Sequence, residues 1–248
     1  MDAANIIRAA AQQVAQFRQV VASTPGLARA VSDIKQLQAR RFAGTYADLL
    51  HSAPYRPAGL FFLEELYSDK DYSRRDAQFA RMAGPLDRIF PPSVVQTAVA
   101  LAQLHQLTES LDLATAQHWL AQTEAPGTPE AARYLLAWRA VDRRADRHQQ
   151  LATVMTVGQA LDQLTRKPGL RLLLKMMRGP ANLAGMEALQ RFLELGFDTF
   201  AAMGRQPDGA RYFLETVRTR EAHLIDLLFD ASPVACETEL TPLLGQAL

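Results

Sequence analysis

Leu27, Val31, Ile34 and Leu37 recur at spacings of four and three, and Leu183, Met186, Leu189, Leu193, Phe197 and Phe200 repeat that rhythm late in the chain. Such spacing puts each set on one stripe of an α-helix. β-branched residues are scattered and never alternate with polar ones over a useful length, so strands are not expected. Helix punctuation supports the same reading. Thr24-Pro25, Thr128-Pro129 and Thr241-Pro242 each place a hydroxyl before a proline, as at a helix start. Ser73 followed by Asp76 has the spacing of a capping box.

Helices are therefore expected at about 3–22, 25–50, 57–67, 74–90 (interrupted at Gly84-Pro85), 93–122, 129–147, 150–166, 169–178, 181–203 and 208–230. The fold class is all-α, a bundle of about ten helices. The 248 residues suffice for one large helical domain or two packed halves, 1–122 and 129–230, with 122–130 (QTEAPGTPE) as the candidate linker. Residues 231–248 read as a loose C-terminal tail carrying a short helix near Pro242.

Composition removes several function classes. A net charge of +1 gives no polyelectrolyte signal, so no nucleic-acid partner is expected. The single cysteine, Cys236, rules out an internal disulfide and suits a reducing compartment. The N-terminus lacks the basic start and apolar run of a secretory signal, and no window approaches a bilayer span of about 20 apolar residues. A cytoplasmic protein is expected.

Enzyme signatures are missing. No GxSxG, Walker A or GxGxxG occurs, and no HExxH or paired cysteines suggest zinc. A ferritin-like di-iron bundle needs Glu-x-x-His, and none of the five histidines follows a glutamate by three. No catalytic residue and no metal ligand is assigned; activity and cofactor stay open. His105, Glu109 and Asp112 align at i, i+4 and i+7, but away from the stripe of Leu101, Leu104, Leu107 and Leu111, and so read as a solvated flank. The basic stretch RKPGLRLLLKMMR at 166–178 has the pattern of a surface-seeking helix, yet membrane contact is not expected from one short signal.

The distinctive stretch is 61–82, FFLEELYSDKDYSRRDAQFARM, where aromatic and charged side chains are mixed along one segment. Charges so placed are either solvated or paired inside, and pairing them inside is costly unless well satisfied. Glu65, Tyr67, Asp71, Tyr72, Arg74, Arg75 and Asp76 are the candidate ligand or partner contacts here. Arg220 falls within the stripe of Phe213, Val217, Leu224, Leu227 and Leu228, with Glu221 at its edge. A guanidinium there needs a carboxylate, a carbonyl or a bound anion, an acid from 64–76 being the expected partner, or else it snorkels to solvent.

The blocks LQARRFAGTYADLL (37–50), FFLEELYSDKDYSRRD (61–76), MRGPANLAGMEALQRFLELGFDTFAAMG (177–204) and FLETVRTREAHL (213–224) resemble a family of uncharacterised bacterial proteins. That family carries an FFLxxLY…D…RRD block and a late FLxxV…RE block. The resemblance spans about residues 30–230, and Ser68 stands where it would place a glycine. It implies no activity, but it singles out Asp71, Arg74, Arg75, Asp76, Arg220 and Glu221 again.

Two functions follow as expectations. The first is a non-catalytic interaction or regulatory protein that offers 61–82 to a protein partner or to a second copy of itself. The second is a helical-bundle binder of a small anionic or lipid-like molecule, with arginines holding its charge. An exposed apolar patch at 61–82 favours the first, and a deep cavity with a converging arginine favours the second.

Overall fold

The computed structural model describes residues 2–122, 127–206 and 208–245, so residues 123–126 of the expected linker lie outside the described residues. In chain order the helices are α1 (Ala3–Ser23), α2 (Leu27–Thr45), α3 (Ala47–His51), α4 (Arg56–Glu65), α5 (Ser73–Ile89), α6 (Pro92–Ala121) and α7 (Glu130–Val141). They continue as α8 (Arg144–Thr165), α9 (Leu170–Met176), α10 (Arg178–Leu183), α11 (Glu187–Met203), α12 (Gly209–Asp230) and α13 (Pro233–Leu244). No strand occurs among the described residues, and the all-α expectation holds.

The 30-residue α6 is embedded in the bundle, packed by α1, α2, α7 and α8. Leu27, Ile34 and Leu37 meet Trp119, Trp138, Leu228 and Cys236 in one core, which draws on the chain both before and after the expected linker. A second core is aromatic: Phe42, Tyr46, Phe61, Phe62, Phe200 and Phe213 pack together, with Phe42 and Phe62 stacked at 6.0 Å between centroids. Burying each such side chain contributes about 1.5–3 kcal/mol.

Several helix boundaries differ from expectation for local reasons. The 129–147 helix is cut at Asp142, whose φ of 47° is left-handed. Residues 181–203 break between α10 and α11, and Leu183 leaves the expected stripe to stand 93% exposed. Pro85 does not interrupt α5, which runs through it. Ser73 is not a cap: the Asp71 carboxylate accepts from the Ser73 N–H at 2.8 Å and its hydroxyl at 3.0 Å, leaving Asp76 free to turn inward.

The tail is the largest correction. Ser232, not Thr241, opens the last helix, accepting from the Ala235 N–H at 3.2 Å, and Pro242 lies inside it. Cys236, Leu240 and Leu244 are buried against α2 and α7, so the described part of the tail is docked core. Gly44 makes that docking close: a Cβ there would meet the Leu243 carbonyl oxygen at 2.2 Å.

Candidate functional site

Helix α2 presents Lys35, Gln38 and Arg41 at successive spacings of three, one stripe turned inward. Helix α6 answers with His105, Thr108, Glu109 and Asp112, and α12 with Glu221. The turn between α4 and α5 adds Glu65, Tyr67 and Tyr72, and the first turn of α5 adds Arg75 and Asp76. Helices α7 and α8 close the far side with Tyr134, Trp138 and Arg147. Together they surround an interior chamber of about 150 Å³.

Most of its charges are paired. Lys35 Nζ meets Glu109 at 2.6 Å, and Arg41 meets Glu221 Oε1 at 2.8 Å, where the Tyr46 hydroxyl also donates at 2.9 Å. Burial opposes the Arg41 charge, yet Glu221 outweighs it and raises the guanidinium pKa. The Asp76 carboxylate takes Arg18 and sits 2.9 Å from His105 Nε2. Arg75 lies between the Tyr72 ring at 4.0 Å and the Phe192 ring at 4.5 Å, and donates to the Glu65 carbonyl at 3.3 Å.

Arg147 is the exception. It is 5% exposed and stacks on Trp138 at 3.8 Å, but among the described residues its five N–H groups make one hydrogen bond, to Thr115 Oγ1 at 3.1 Å, and no ion pair. Burial depresses its pKa. Asp112, 4% exposed, accepts only from Gln38 at 3.1 Å, and burial raises its carboxyl. Arg41 Nε and Trp138 Nε1 are also buried with no hydrogen-bond partner. Both signs are under-satisfied in this chamber, Arg147 among the donors and Asp112 among the acceptors, and buried polar groups call for partners.

A second chamber of about 310 Å³ abuts the first, and Phe62, Leu66, Leu101, Val154, Phe192 and Leu193 line both. Its own wall comes from Phe61, Met82, Leu86, Val157, Leu170 and Phe197 among others, and is almost wholly apolar. No group of three or more His, Cys, Asp or Glu among the described residues is arranged to hold a metal ion.

Of the residues singled out in the sequence, Glu65, Tyr67, Tyr72, Arg75, Asp76 and Glu221 line the polar chamber together. Asp71 caps α5 on the surface, and Arg74 points outward to Glu187 at 2.8 Å with its side chain 72% exposed. Arg220 does not reach 64–76: it makes a two-pronged pair with Asp48 of α3 at 2.6 and 2.7 Å and donates to the Thr45 carbonyl at 2.6 Å. Its neighbour Glu221 makes the inward contact instead. Ser68, in the turn, accepts from the Lys70 N–H at 3.4 Å and donates to the Glu64 carbonyl at 3.1 Å, tying the loop that carries Tyr67.

The line His105, Glu109, Asp112 is not a solvated flank but chamber wall, because neighbours pack over that side of α6. Lys35, Gln38, Arg41 and Arg147 gave no signal beyond polar residues falling near apolar stripes. Among the described residues, none of the exposed large hydrophobic side chains belongs to 61–82, whose Phe61, Phe62 and Leu63 are buried. No described helix is long and apolar enough to cross a membrane.

No curated protein and no solved structure matches the chain. One family model does, over residues 16–235, nearly the whole of the bundle and every wall of the polar chamber. The chain belongs to the family described as Domain of unknown function (DUF8198).

Proposed function

We propose that this protein is a helical-bundle binder of a small amphiphile, an anionic head joined to an apolar body. The head occupies the polar chamber against Arg147, with Arg41 and Trp138 contributing their unpaired N–H groups; the apolar body fills the second chamber. The observation that carries this reading is Arg147, a buried guanidinium with one neutral hydrogen-bond partner, facing the chamber. A buried charge of this kind is retained at a cost unless something pairs with it.

The apolar chamber supports the same reading by its size. About 310 Å³ is about twice the engineered apolar cavity that takes up benzene. A molecule that fills it takes apolar surface of both partners out of water, which is the source of binding energy here. The setting belongs to the proposal too: a bacterial cytoplasm, which suits a lone unpaired cysteine.

Native mass spectrometry of the protein incubated with dodecanoate tests the reading. A one-to-one complex that the Arg147→Met variant forms only at about 10- to 100-fold higher dodecanoate is the expected result. A protein-only mass for wild type at saturating dodecanoate sinks it.

A further inference from the structure

Three of the largest exposed apolar side chains in the described residues fall close together: Leu172 at 62%, Met176 at 66% and Leu183 at 93%. They sit on α9 and α10, the same two short helices that supply Leu170, Leu174, Met177 and Ala181 to the wall of the apolar chamber. Within α9 the division is by helical spacing: Leu170 and Leu174 face inward at i and i+4, and Leu172 and Met176 face outward at the same interval. This strap is thus apolar on both sides. Its ends are left-handed glycines, Gly169 at φ +81° and Gly185 at φ +64°, the second held by Gln78 and Arg81, which donate to its carbonyl at 2.9 and 3.0 Å.

Charge identifies what the outer face meets. From Arg166 to Met186 the chain has five basic residues and no acid. Arg166, Arg171 and Arg178 pair with Asp162, Asp198 and Glu194 on neighbouring turns and helices. Lys175 makes no ion pair, and Lys167 Nζ only donates to Ser93 Oγ at 2.8 Å. Apolar side chains flanked by two lysines without carboxylate partners suit a surface of anionic headgroups over hydrocarbon. A two-fold contact between copies of this chain would instead set basic rim against basic rim.

We propose that the α9–α10 strap docks on an anionic lipid bilayer, inserting Leu172, Met176 and Leu183, and forms the entry through which an amphiphile passes from the bilayer to the apolar chamber. The entry role rests on the chamber being an amphiphile site; docking itself does not.

Co-sedimentation with vesicles tests the docking. The probes are vesicles of phosphatidylcholine alone and vesicles in which part of it is replaced by phosphatidylglycerol. The full chain is expected to sediment with the second and not the first, and to be released by salt. A variant carrying Leu172→Ser, Met176→Ser and Leu183→Ser should lose at least about tenfold in partitioning for each side chain that inserts fully. Lys167→Glu with Lys175→Glu, whose changes touch no core residue, should lose binding while keeping wild-type helicity. Arg147→Met should sediment as wild type, separating failure of docking from failure of the chamber reading. Wild-type protein left in the supernatant with anionic vesicles overturns the proposal. So does serine-variant binding equal to wild type, or a dimer in solution that the serine variant dissolves.

Discussion

Arg41 and Glu221 stand 180 positions apart in the chain and 2.8 Å apart in the fold, joining α2 to α12 at the wall of the polar chamber. Both side chains are largely out of water, so the pair is retained only because each partner satisfies the other. Glu221→Ala removes the acid and strands Arg41. The expected cost is about 3–5 kcal/mol, a fall in Tm of roughly 10 °C for a chain of this size, read by calorimetry. Arg41→Met combined with Glu221→Leu should recover most of that loss, since the buried charges then go together. A Tm for Glu221→Ala within a degree or two of wild type contradicts the pairing.

Acid should unfold the protein partly through Asp76. Burial pushes this carboxyl up, but hydrogen bonds and charge from His105 and Arg18 outweigh burial and hold it at about 2 against an ordinary 3.8. A folded-state pKa below the unfolded one means stability that is present above the unfolded value and lost as pH falls from there toward the folded one. Asp76→Asn should therefore lower stability at neutral pH by on the order of 2 kcal/mol and flatten the decline between pH 4 and 2. Denaturant midpoints collected across that range check it; parallel curves for variant and wild type would remove Asp76 from the account.

Arg147 should behave unlike Arg41. Because no acid lies within ion-pair distance of it, replacing it by methionine exchanges a costly buried cation for an apolar side chain of similar length, and removes only a longer-range attraction to Asp112. Arg147→Met is expected to be as stable as wild type or more so by thermal melt. A loss of several kcal/mol would mean the guanidinium is structural.

Gly44 tests the docking of the last helix. Its missing Cβ is occupied by backbone, not by a movable side chain, so Gly44→Ala must push α13 away. The expected penalty is about 1–3 kcal/mol or more, with Cys236 becoming reactive to thiol reagents as its cover loosens. Gly179→Ala is the control: nothing lies near its Cβ position, and helix propensity predicts no loss.

What the sequence disclosed was whatever one helix can express by itself. Apolar stripes such as Leu27, Ile34 and Leu37 and the break at Gly169 follow from local period and backbone preference. The mixed composition of 61–82 also drew attention to Glu65, Tyr72 and Arg75, which line the polar chamber, because charges beside aromatics must be dealt with wherever they fall. The remainder depended on neighbours. His105, Glu109 and Asp112 look solvated only if they lie on the solvent face of α6, and the packing of four helices confines that face to a stripe through Gln96, Gln103 and Gln117. Arg220 and Glu221 differ by one residue, about 100° around a helix, and that rotation sends one to Asp48 and the other to Arg41. Arg41 itself is indistinguishable in sequence from Arg40, which pairs on the surface with Glu130.

If Arg147 receives the head of an amphiphile whose body fills the apolar chamber, removing either the guanidinium or the ligand's charge should show it. The decisive experiment is titration calorimetry of wild type and Arg147→Met with dodecanoate, and with dodecanol as the uncharged counterpart. The account predicts that wild type binds dodecanoate one to one, that Arg147→Met weakens this by about 10- to 100-fold, the worth of a hydrogen bond to a charged group, and that dodecanol binds both proteins alike. Equal dodecanoate affinity in the two proteins, or no heat from either ligand with wild type, would contradict it.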